Sequence, residues 1–398
     1  MQLQEKRYKD EVIHRCSRIQ GNDYFCWEQQ SFSWGGCASR ETPQSVQESK
    51  NARLQYEERR VSGTLCEGVT VDADLPDMSR ITEYDVILAR MTGPRERDIQ
   101  SVKEYLFRKD APEKIVEKRT VDGDMLHYYV PVDGTEEERR MVVYLTPGER
   151  GLSFSDTQAC PWPAIYYDYT IRPGETKNLT DEIDLLAHSG TEDLPFMKRS
   201  KAVDTVKKYL KEWGFDTVGE PLVFSVQGSD LHQLLEYWNE IDFYDTPIAG
   251  TPKEKLDCYY MVFDTGYHQI PYTYFEQAIG GVYSLGQHLF VRFTDQGIVW
   301  LSSCAAQYEV EKVLEEHEKC ISIEQAFAAV KEYYENMVAV SDLEIEKIYF
   351  QYVPSDVDRK TEMYTFRLTW IFQTTGEIQG EKLYLERVSV DGITGEVG

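Results

Sequence analysis

Over residues 363–373 the chain reads MYTFRLTWIFQ, with Tyr364, Phe366, Leu368, Trp370 and Phe372 at every second position. Side chains alternate between the two faces of a strand, so this phase demands a strand with one face on a core. A helix would scatter the five groups around its axis. The chain must therefore build a sheet, and LEIEKIYFQYV before this strand and LYLERVSV after it read as its partners. Asp391-Gly392 then turns the chain into ITGEV, where Gly395 allows a backbone angle that other residues resist.

Three segments carry helical periodicity. The clearest begins at Ser322, an N-cap, with Gln325 at the capping-box position and Ile323, Ala326, Phe327, Val330, Tyr333, Tyr334 and Met337 on one face. The spacing predicts two earlier helices. One covers 98–107, with Asp98 as N-cap and Ile99, Val102 and Leu106 on one stripe. The other runs over 200–213, with Val203, Val206, Leu210 and Trp213 aligned and Gly214 as a left-handed stop.

Strand-like segments follow each helix: DMLHYYVPVD and ERRMVVYLTPGERGLSFSD after the first, PLVFSV, LDCYYMVFD, GVYSLGQHLFVRFTD and GIVWLS after the second. The expected fold class is therefore α+β: repeated helix-plus-antiparallel-sheet units in two to three subdomains. The expected segments are an atypical or non-native leader at 1–36, a polar tether at 37–60, an N-terminal domain at 61–195, a middle domain at 196–310 and a C-terminal helix-sheet domain at 311–398. The folded part is expected to start at EGVTVDADLPD, residues 67–77.

Charge narrows the partners. Asp plus Glu number 69 against 43 Lys plus Arg, a formal net charge of -26. Such a surface repels phosphate backbones and anionic headgroups, so nucleic acid is not an expected partner, and a membrane is one only through a lipid anchor. The eight cysteines include no pair two residues apart, which removes zinc-ribbon and thioredoxin-like spacings. No stretch approaches the roughly 18 apolar residues of a membrane span.

Residues 1–36 contain no apolar core of a signal peptide. Yet Gly35, Gly36 and Cys37 precede ASRETPQSVQESKN, which resembles the tether after the lipidated cysteine of bacterial lipoproteins. Two readings follow. Either the sequence upstream of Cys37 is not native and Cys37 carries a lipid, or Cys37 is an ordinary thiol and the protein is cytoplasmic. In the first reading, 37–60 is a flexible coil spanning on the order of 25 to 30 Å.

AFAAVKEYYENM, IEKIYFQYVP, FRLTWIF and VSVDGITGEV, within residues 321–397, resemble the PepSY-like modules of exported bacterial proteins. Over residues 37–398 the Cys-led tether followed by VTVDADLP resembles uncharacterised clostridial, Gram-positive lipoproteins. The resemblance implies an extracytoplasmic, lipid-anchored protein. PepSY-like modules are associated with peptidase inhibition or signalling at the cell envelope, and they bring no catalytic residues.

The residue patterns assign no catalytic, cofactor-binding or metal residue. GLSFS at 151–155 lacks the form of a nucleophile elbow. The seven histidines never fall at i, i+2 or i, i+4, and phosphate-binding Gly-rich loops are lacking. Asp72, Asp74 and Glu83 take the first, third and twelfth positions of a calcium loop, but Pro76 and Asp77 stand at the fifth and sixth, where the sixth must be Gly, so a strand end plus turn is expected. PWPAIYYDYT at 161–170 reads as a packed loop or as an aromatic carbohydrate groove. The expected function is a non-enzymatic cell-surface lipoprotein with a binding or regulatory role, attached at Cys37, for an unknown envelope protein or ligand. The alternative is a hydrolase, carbohydrate-active or other, with dispersed acidic residues.

Overall fold

The computed structural model describes residues 53–81, 83–107, 113–119, 125–131, 139–146, 149–156, 190–229, 257–272, 277–279, 282–284, 288–303, 307–317, 319–337, 342–358, 361–378 and 381–398. The leader, Cys37 and PWPAIYYDYT lie outside them. The described chain opens with β1 (Arg53–Glu57), β2 (Arg60–Cys66), β3 (Val69–Asp74) and β4 (Val86–Met91), followed by helix α1 (Glu96–Phe107). Next come β5 (Glu113–Arg119), β6 (Met125–Pro131), β7 (Arg139–Thr146), β8 (Glu149–Asp156) and helix α2 (Arg199–Glu212). The middle contributes β9 (Thr217–Val226), β10 (Cys258–Tyr267), β11 (Ile270–Pro271), β12 (Gln277–Ile279), β13 (Val282–Ser284), β14 (His288–Thr294), β15 (Gly297–Ser302) and β16 (Tyr308–Glu315). Helix α3 (Ile323–Glu335) and the long strands β17 (Leu343–Asp358), β18 (Met363–Ile378) and β19 (Glu381–Asp391) close the chain.

The α+β repeat expectation is corrected. Strands dominate the described residues and assemble into two large sheets with only three helices laid against them. The repeat reading gave each helix a sheet of its own, whereas α1 and α2 cover the same sheet. Hydrogen bonding also joins the two ends of the chain. The first sheet runs β1-β2-β3-β17-β18-β4-β16, with β19 also on β18, and β3 pairs with β17 in parallel. The second sheet runs β11-β10-β14-β15-β8-β7-β6-β5, with β9 on the other edge of β10. Strand β1, inside the span expected as tether, pairs with β2 from Arg53↔Thr64 to Glu57↔Arg60, so the folded part starts before residue 67.

The strand that opened the argument sits at the centre of the first sheet. Strand β18 pairs with β17 along its length, while its other edge is divided: Met363 to Phe366 pair with β4, and Thr369 to Ile378 with β19. Tyr364, Phe366, Leu368, Trp370 and Phe372 are all buried in one core with Ala326, Phe327, Val330 and Tyr334 of α3. Helix α3 starts as its sequence requires: the Gln325 N–H donates to Ser322 Oγ at 3.3 Å and the Ser322 N–H to Gln325 Oε1 at 2.8 Å. Met337, expected on the buried face, is exposed.

The second core places α1 and α2 against the other sheet through Ile99, Val102, Leu106, Val206, Leu210 and Trp213. Asp98 is not the N-cap of α1. The helix begins two residues earlier, and the buried Asp98 carboxylate reaches back to accept from the Arg95 N–H at 3.2 Å and Arg95 Nε at 2.8 Å. Gly214 ends α2 at φ +80°, and the Phe215 N–H returns to the Leu210 carbonyl at 2.9 Å. Tyr105 of α1 clamps the sheet, its hydroxyl accepting from the Ile298 N–H at 2.6 Å.

Candidate functional site

The two sheets meet where the β10–β11 hairpin reaches the edge of β17. Strand β10 runs past its partner β14 and turns at His268 and Gln269, both in the left-handed region with φ 46° and 68°. A two-residue hairpin loop with both residues left-handed is the tight turn that matches strand twist, and histidine enters that region more readily than most residues. Gly266 is required just before it, because a Cβ there would lie 2.1 Å from the Ile270 carbonyl oxygen. Beyond the turn, Ile270 and Tyr272 enter the core of the first sheet, and Tyr272 bridges to Tyr352 of β17. The hairpin tip is thereby fixed over that sheet.

The facing element is the segment leading into β4. The Tyr84 N–H donates to the His317 carbonyl at 3.2 Å, and the Tyr84 ring packs on Phe350 with centroids 6.4 Å apart. With Tyr84 turned into the core, its neighbours Glu83 and Asp85 share the opposite side. There they meet His268. Ligand-capable atoms of Glu83, Asp85 and His268 all lie within 4.8 Å of one another, with Glu83 Oε2 in direct contact with His268 Nδ1.

The three groups differ in environment. Glu83 and His268 are open to solvent, whereas Asp85 is 8 % exposed. Burial pushes the Asp85 carboxyl above the usual range; His268 opposes that shift, and Glu83 and Glu316 add to it. Among the described residues nothing donates a hydrogen bond to Asp85. The neighbouring acid Glu315 is otherwise engaged, with His317 Nε2 at 3.1 Å and Arg367 at 3.7 Å.

Aromatic side chains wall the cluster. Tyr267 stacks on the His268 ring with centroids 3.8 Å apart, and Tyr352 lies 6.2 Å from Tyr267 and 5.9 Å from Tyr272. Tyr352 is fully buried, and among the described residues its hydroxyl has no hydrogen-bond partner. Burial first, and then the charge of Asp85, push the Tyr352 hydroxyl well above the usual tyrosine range, so it stays protonated.

No protein-family model matches the chain, and no curated protein matches it. A crystal structure of an uncharacterized protein from Eubacterium rectale ATCC 33656 is similar to it, with a TM-score of 0.60 and 14 % identity over 85 % of this chain and 93 % of that one. At that identity the likeness shows a shared fold. The Bacillus megaterium YpeB C-terminal domain aligns over 77 % of this chain and 98 % of that one, at 11 % identity and a TM-score of 0.32, too low to carry an argument.

The acids weighed as a calcium loop part company. Asp72 and Asp74 point from β3 to Arg60, at 2.8 and 3.4 Å, while Glu83 turns to His268. GLSFS lies within β8. Asp391 works in the closing turn, accepting from the Ile393 and Thr394 N–H groups at 2.9 and 2.8 Å, with Gly395 at φ +77°. The cluster itself was missed by reading spacings. Glu83 and Asp85 stand two apart in an extended segment, but nothing in the sequence links them to a histidine in a hairpin of the other sheet.

Proposed function

We propose that this chain is a non-enzymatic binding or regulatory protein of a Gram-positive cell envelope, held at the membrane by a lipid on Cys37, with the Glu83–Asp85–His268 junction as its recognition site. The observation that carries the recognition part is the convergence of two distant segments on one buried carboxylate. A carboxylate so little exposed, with no hydrogen-bond donor among the described residues, is favourably placed to take up a bound ligand that compensates its charge. The anchoring part is supported by Gly35-Gly36-Cys37 and the polar residues behind it. The PepSY-like reading of the C-terminal unit is supported by the order of α3, β17, β18 and the Asp391 turn.

Labelling cells with a clickable palmitate analogue tests the anchor. The wild-type chain takes the label and sediments with membranes, and Cys37→Ser does neither; equal labelling of both overturns the attachment. Cross-linked capture from solubilised envelopes tests recognition, with Asp85→Asn losing what the wild type retains.

A second reading, a hydrolase, is favoured by one observation: the Asp85 carboxyl is pushed upward by burial, as befits a general acid beside the second carboxylate of Glu83. Turnover of a chromogenic glycoside or ester panel that disappears in Asp85→Asn would select it.

A further inference from the structure

We infer that Glu83, Asp85 and His268 bind one divalent transition-metal cation of the zinc kind. The inference deepens the proposed function and rests on the junction being the recognition site.

Two carboxylates and one imidazole supply two negative charges for a dication, and the imidazole favours zinc-like ions over magnesium or calcium, which prefer all-oxygen shells. A tetrahedral ion with bonds of about 2.1 Å holds its ligand atoms about 3.4 Å apart. The three side chains already lie within 4.8 Å of one another, so only a small contraction separates them from that spacing. Their supports are firm: the Tyr84 N–H is bonded to the His317 carbonyl, and His268 occupies a fixed hairpin turn backed by Tyr267.

Two further observations point to a ligand. Asp85 is more than nine-tenths buried, and among the described residues it has no hydrogen-bond donor. Tyr352, packed on the Tyr267 ring that backs His268, is buried, and among the described residues its hydroxyl has no partner. Side chains so largely buried normally have a polar partner. A cation compensates the Asp85 charge. Three protein ligands plus an open position is the arrangement through which a zinc ion engages an exchangeable ligand, here a carboxylate or other anionic group of a partner.

The test is titration of the chelator-stripped full chain with Zn²⁺, Mg²⁺ and Ca²⁺ by calorimetry, together with the visible spectrum of the Co²⁺ form. One Zn²⁺ per chain is expected, with a Co²⁺ spectrum of low-symmetry coordination and much weaker binding of Mg²⁺ and Ca²⁺. His268→Asn is the safest variant, since Asn accepts the left-handed turn. In it and in Asp85→Asn, the Zn²⁺ affinity should fall by at least about tenfold, the lower bound already seen when groups behind metal ligands are removed. Absence of Zn²⁺ binding, affinity unchanged in both variants, or equal binding of Mg²⁺ overturns the site. If the chain takes no Zn²⁺ yet holds an envelope partner that Asp85→Asn releases, the metal inference fails and the recognition reading stands. If Zn²⁺ binds through these residues while Asp85→Asn releases nothing, the metal site stands and the recognition reading fails.

Discussion

Tyr352 shows how a single atom can oppose the fold it belongs to. Its ring fills the core of the first sheet, but its buried hydroxyl finds no partner. An unsatisfied buried polar group costs about 1–3 kcal/mol. Tyr352→Phe should therefore stabilise the metal-free chain against urea by about 1 kcal/mol; loss of stability would show that the hydroxyl is satisfied in solution. Tyr105 is the opposite case, because its hydroxyl accepts the Ile298 N–H and burial pushes it from 10.0 to about 12. A phenol whose folded value is raised binds its proton more tightly when folded. Its contribution is complete below pH 10 and is lost as pH rises through about 12. Two units correspond to about 2–3 kcal/mol. Alkaline denaturation of Tyr105→Phe should thus be flatter between these values than that of the wild type. Neither role was legible in the sequence, since a tyrosine in a strand or helix face reads only as core. Nor was the cluster, because spatial proximity across two sheets leaves no spacing signal.

At the scale of elements, local signals worked where local energy decides. Ser322 and Gln325 make the reciprocal cap that their three-residue spacing specifies, and Ser322→Ala should lower stability by about 1 kcal/mol in chemical denaturation. Gly214 stands at φ +80°, and a Cβ there would lie 2.7 Å from the Asp98 carboxyl group. Gly214→Ala should cost more than the 1 kcal/mol or so of left-handed strain alone, because α1 must also shift; a change within measurement error would mean that Asp98 moves freely. The alternation of Tyr364 to Phe372 read correctly as a buried strand face, since period two has one physical cause. The start of α1 did not. Asp98 suits an N-cap by residue type, yet its carboxylate also suits the third helical position, from which it bonds back to Arg95. Residue type alone does not separate these two ways of satisfying the same N–H groups.

For the whole molecule, the sequence order of elements misled because sheets are assembled by pairing, not by adjacency. A helix followed by strands, met three times along the chain, suggested repeated units, but long-range hydrogen bonding places β3 beside β17 and β4 beside β18. Native-state hydrogen exchange should accordingly group amides of β2 and β3 with those of β17 and β18, apart from those of β7, β10 and β14. Exchange of β2 and β3 in step with β7 instead would show that the sheets open as one unit.

The parallel pairing of β3 with β17 also sets the order of events during synthesis. Thr70 Oγ1 bonds the Leu343 carbonyl across 273 positions. The β3 edge away from β2, and β4, must wait unpaired until β16, β17 and β18 have emerged. Contacts so distant along the chain slow folding and lengthen exposure to aggregation. Such a chain reaches its final form only after β17 and β18 have been made, and until then it depends on whatever shields β3 and β4 from strangers.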